Sequence, residues 1–95
     1  MDRSTHEAVA LIGDEAERFL KTDLGRTMLG LAQQEAELAY DALKSVSASD
    51  TEKIRELQAK IWRAETFETW LRELISDAEQ SLRILQHQDE IDEDI

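Results

Sequence analysis

The chain has no cysteine, no proline and only three glycines, and its aromatic side chains are two tryptophans, one tyrosine and two phenylalanines. Without cysteine there can be no disulfide, thiolate metal site or thiol nucleophile, and the redox compartment is left open. Long apolar runs are also missing: no segment approaches the roughly 20 apolar residues of a membrane span. The opening MDRSTHEAV lacks the basic start and apolar stretch of a signal peptide, so the expected location is the cytoplasm of the cell that makes it. Basic residues are scarce beside acidic ones, 11 against 22, for a net charge of -11. So negative a surface repels phosphate and anionic lipid at long range, which leaves direct nucleic-acid binding and membrane binding as poor expectations. A domain of this length buries only about two-thirds of the surface its unfolded chain exposes, which favours docking on a copy of itself or on another partner.

What is present is helical periodicity. Ser4 and Glu7 have capping-box spacing and predict a helix start. Ala8, Val9, Ile12, Ala16, Phe19 and Leu20 then fall within about a third of the helical circumference, with charge mostly opposite. This helix should end near Lys21, after which Thr22 or Asp23 can cap a second. In the second, Leu24, Met28, Leu31, Leu38, Ala39, Ala42 and Val46 recur at three-to-four spacing, and Leu29, Ala36, Tyr40 and Leu43 widen the apolar arc. An arc so wide predicts two neighbours and a central place in the fold. Gly30 inside it implies either close helix contact or simple tolerance at a cost of about 1 kcal/mol relative to alanine. The break at Lys44–Asp50, KSVSASD, is rich in hydroxyls that compete for backbone hydrogen bonds, and Ser49 with Glu52 repeats the capping box.

From Ile54 to Leu85 there is neither glycine nor proline. Ile54, Leu57, Ile61, Ala64, Leu71, Ile75, Ala78, Leu82 and Leu85 follow alternating three- and four-residue steps, broken only at Glu68, which is a heptad seam. The fold class that follows is all-α: three helices, a helical hairpin with a long heptad-patterned third helix, oligomeric. The third helix, roughly 55 Å long, outruns the middle one at roughly 33 Å. Its half from about Phe67 onward must therefore find the first helix, a second copy or another partner, and a homodimer is the simplest cover. Trp62 projects outside the seam, and Trp70 with Phe67 and Leu74 forms a stripe along its edge. The plainer reading has the tryptophans wrapping the first helix into the core; the sharper one has them anchoring an intermolecular contact, where such side chains are enriched. The candidate partner interface is Trp62, Phe67, Trp70, Leu71, Leu74, Ile75, Ala78 and Leu82. Residues 1–86 read as a single helical domain and 87–95 as an acidic tail, either a solvated end or an arm for a basic partner surface.

Catalytic patterns are lacking. His6 at a helix start and His87 in a last turn read as end-capping groups. No HExxH or ExxH pair points to helical zinc or di-iron chemistry, no phosphate loop is present, and no serine has a histidine and an acid arranged around it in the sequence. Glu65 and Glu68 share a face and could bind a hard cation, but salt bridges to Arg63, Arg72 or a neighbouring chain are the simpler reading. The expectation is no enzyme, no cofactor and no metal.

Two segments resemble small helical proteins of tailed bacteriophages and prophages: FLKTDLGRTMLGLAQQEAELAYDAL, Phe19–Leu43, and DTEKIRELQAKIWRAETFETWL, Asp50–Leu71. The likeness covers about the middle half of the chain and is most specific at Leu24-Gly25-Arg26 and Ile61-Trp62-Arg63-Ala64-Glu65. It implies a phage product in the bacterial host cytoplasm or the virion, partnered by itself, by other virion proteins or by a host protein. A virion structural or assembly component is then the first expectation, and an acidic inhibitor of a host nucleic-acid-processing or defence enzyme the alternative. Arg26 and Arg63 are candidates for fixed ion pairs between helices, a role the likeness itself does not assign.

Overall fold

The first helix is started by Asp2, whose carboxylate accepts a 2.8 Å hydrogen bond from the Thr5 amide. That bond pulls the Asp2 carboxyl below its ordinary value of 3.8. The cap is thus two residues earlier than the Ser4–Glu7 box implied: Asp2 is extended and the helix already includes Ser4. In this computed structural model, which describes residues 2–93, three helices follow one another, α1 at Arg3–Lys21, α2 at Asp23–Ser45 and α3 at Thr51–Glu93. No strand occurs among the described residues. α1 stops at Thr22, an extended residue whose amide and hydroxyl both donate to the Phe19 carbonyl. The hydroxyl-rich break ends α2 as expected, but Asp50, not Ser49, caps α3, accepting from the Lys53 amide at 3.1 Å. α3 runs on to Glu93, so 87–93 of the segment read as a tail is helical; Asp94 and Ile95 lie outside the described residues.

The chain divides into two compact units, Met1–Thr22 with Leu71–Ile95, and Asp23–Trp70. Each is a pair of antiparallel helices, and α3 contributes to both.

In the first unit α1 lies against the later part of α3. Arg3 pairs with Asp89 at 2.9 Å, His6 with Ser81 at 3.1 Å, and Gly13 sits on Ala78. Spacing of seven brings His6 and Gly13 inward, with Ala16 beside them, all buried. Of the expected face Ala16 is buried and Val9, Phe19 and Leu20 are half-buried, whereas Ala8 and Ile12 are exposed, so the inward face is turned toward His6 and Gly13. The physical reason is size, because a residue without a side chain allows the closest backbone approach and sets which face meets the neighbour.

In the second unit α2 lies against the first half of α3, where Ala39, Leu57 and Ala64 are buried. The heptad seam is what turns inward along α3: Leu57, Ala64, Ala78 and Leu85 are buried, and Ile54, Ile61, Leu71 and Ile75 half-buried. α2 does not have the two-sided burial its wide arc implied, since Leu24, Leu31 and Leu38 are exposed. Gly30 has open space around the position of a β-carbon, which resolves it as tolerated rather than a contact. The buried apolar residues of the described chain are four alanines and two leucines. At about 0.8 kcal/mol per buried CH₂ and about 1.5–3 kcal/mol per buried leucine, that core is slight.

Candidate interaction surface

The second unit carries a shaped surface. On one side of its helix pair Met28, Leu31 and Leu38 from α2, with Leu57, Ala64 and Phe67 from α3, line an open groove of about 850 Å³. Its floor is apolar because α2 puts alanines, not large side chains, at the helix contact, so the flanking leucines stay at the rim instead of closing over it. Lys53, Lys60 and Arg63 from α3 and Glu35 from α2 supply the lining's charges. Lys53 and Lys60 each reach Glu56, at 3.5 Å.

Polar contacts hold α2 to α3. The Arg63 guanidinium forks onto both carboxylate oxygens of Glu35, and this charge-assisted bonding raises the Arg63 pKa further above its ordinary value. Tyr40 donates its hydroxyl to Glu65, a contact that raises the phenol pKa because it holds the proton on Tyr40. The Gln33 amide donates to Glu68 at 3.4 Å. Of the two candidates for an ion pair between helices, Arg63 forms one, whereas Arg26 bonds Asp23 within α2 at 2.6 Å. Glu65 meets Tyr40, not Arg63. Among the described residues no group of three His, Asp or Glu side chains is placed to hold a metal ion.

The residues expected at a partner interface fare differently. Trp62 and Trp70 are 70% and 62% exposed, so the reading that they wrap α1 into the core is overturned. Both point away from the seam side, which alanines and leucines already fill. Phe67 is half-buried and lines the groove. Leu74 and Leu82 are exposed and Leu71 and Ile75 half-buried. Ala78 is buried under Gly13, so the strip Leu71–Ile75–Ala78–Leu82 is not an open seam awaiting a copy.

His6 is a second correction. It does not cap α1; it is buried, with Nδ1 3.1 Å from the buried Ser81 hydroxyl. The structure thus brings together a serine and a histidine that are 75 positions apart, which no local spacing could reveal, and both are closed to solvent. His87 is exposed and lies within α3, not in its last turn.

No helix of the described chain is long and apolar enough to cross a membrane. No protein family, curated protein or solved structure matches the chain.

Proposed function

We propose that this chain is a non-catalytic helical interaction protein, acting as a structural or assembly component of a tailed-phage virion in the host cytoplasm or the particle. The observation that supports an interaction role is the groove of the second unit, whose leucine rim remains in contact with water above a buried apolar floor. Amphipathic helices dock into surfaces of that kind, laying successive apolar residues along the floor. The phage assignment rests on the likeness of Phe19–Leu43 and Asp50–Leu71 to small phage helical proteins, and on nothing in the geometry. With a net charge of -11, neither nucleic acid nor an anionic membrane is the partner. The same charge favours a second reading, an acidic inhibitor that occupies the basic channel of a host nucleic-acid or defence enzyme.

Purified particles from a culture producing the phage separate the two. A virion or assembly role predicts the chain in the particles or their precursors at fixed stoichiometry, reduced by Leu38→Glu in the groove rim. Absence from every particle fraction, together with retention on a host nuclease or polymerase, supports the inhibitor reading instead.

A further inference from the structure

The two units are closed over different lengths of chain. In the second, the bonds that join α2 to α3 link residues 25, 28 and 35 positions apart, Tyr40 with Glu65, Arg63 with Glu35 and Gln33 with Glu68. The turn between those helices is only residues 46–50. In the first unit Arg3 reaches Asp89 across 86 positions, and His6 meets Ser81 across 75. The second unit is thus a local hairpin, whereas the first is completed by a chain end that docks from far along the sequence. We propose that α1 is a strap over the later part of α3, hinged at Thr22, which opens as a body while the second unit stays folded.

The entropy of closing a loop rises with its length, so the contacts of α1 are the costlier ones to hold closed. Opening α1 releases a chain end, which gains full freedom. Opening α2 with α1 still docked would release only a loop tied at both ends, so the strap is the easier part to open. The bonds at its ends stay with it as well: Asp2 holds the Thr5 amide and Thr22 holds the Phe19 carbonyl, all within Met1–Thr22. Detachment therefore costs α1 neither cap. Against α3 it buries His6, Gly13 and Ala16, with Val9, Phe19 and Leu20 half-buried. No large apolar side chain of α1 is fully enclosed, and the hydrophobic gain of docking scales with apolar area. Elements held in this way form the low-stability end of a native fold. Opening exposes Ala78, Ser81 and Leu85, the buried residues of α3 in this unit. The strap thus decides whether the late seam of α3 is hidden or meets water.

This inference stands apart from the groove and from the phage assignment. Amide hydrogen exchange of the unmodified chain in rising guanidinium, below the unfolding transition, tests it. Because a helix in a protein owes most of its stability to packing, the amides of α1 exchange once it leaves α3. Residues 13–16 should then exchange about tenfold faster, or more, than Ala39, Leu57 and Ala64, with a shallower dependence on denaturant because less surface is exposed. A single shared curve for both groups would overturn the strap. Two variants give an independent reading, with circular dichroism to confirm that each is folded. Ala64→Gly weakens the second unit equally whether the strap is open or closed. It should speed exchange at Ala39 and Leu57 about fivefold, the effect of a glycine in a helix interior, and leave residues 13–16 unchanged. Gly13→Ala weakens only the closed form, so it should speed both groups by one common factor. Faster exchange at residues 13–16 in Ala64→Gly would mean that the chain opens all at once, and the proposal would fall.

Discussion

Gly13 lies so close to α3 that a β-carbon at residue 13 would overlap the Ala78 methyl and come within 2.8 Å of the Leu74 carbonyl oxygen. α1 and the later part of α3 touch there backbone to backbone, and the Leu74 oxygen cannot swing aside as a side chain could. In an exposed helix, exchanging glycine for alanine gains about 1 kcal/mol. At residue 13 overpacking, at about 1–3 kcal/mol, should reverse the sign. Gly13→Ala is expected to lower the melting temperature, and Gly30→Ala, which meets open space, to raise it by about 4–8 °C. Adding Ala78→Gly should rescue Gly13→Ala through their direct coupling. Equal stabilisation at both glycines would show that α1 is not seated on Ala78.

Ser81 and His6 form a buried polar pair in the same unit. Ser81→Ala removes the partner of a ring nitrogen closed to water, a loss of about 1–3 kcal/mol. Denaturant unfolding measures it as a lower midpoint at unchanged slope. No change in midpoint would mean that His6 reaches solvent.

The single tyrosine allows an unambiguous titration. Because the contact with Glu65 raises the Tyr40 pKa, its stabilising share is complete below the ordinary 10.0 and is lost as pH rises through the higher folded value. Phenolate absorbance should therefore appear above pH 10.0 and move down in Glu65→Gln. A midpoint unaffected by that substitution would separate Tyr40 from Glu65.

Trp62 stands clear of its own unit. Trp62→Ala should change monomer stability by less than about 0.5 kcal/mol, and a neutral quencher should reach the indole fluorescence freely in dilute protein. Strong protection at high dilution would place the ring in a core.

The helices were legible in the sequence because their signals are local: periodicity marks α1, α2 and α3, and the hydroxyl cluster at Ser45–Ser49 marks the turn. The caps were displaced by a residue or two because Asp2 and Asp50 compete with Ser4 and Ser49 for the same orphan amides, and a carboxylate wins at a helix start. The seam of α3 was read correctly as an inward face, but not what it faces. A repeat of three and four is the same whether α1 or a copy covers it, and the choice depended on Gly13, whose missing side chain has no weight in an apolar pattern. His6 was misread for the same reason: a polar residue on an inward face is seen only once Ser81 is across from it. On α2 the apolar arc was visible, yet its division into a buried alanine row and an exposed leucine row is a matter of packing, not of spacing.

The interaction role of the groove and its leucine rim is the claim on which the account most depends. Quantifying the chain in purified particles, for the unmodified protein and for folded Leu31→Glu, tests it. The expected result is the unmodified chain at fixed stoichiometry and a depleted Leu31→Glu, since a carboxylate on the rim is costly to bury against an apolar partner. Equal incorporation of the two chains would contradict it.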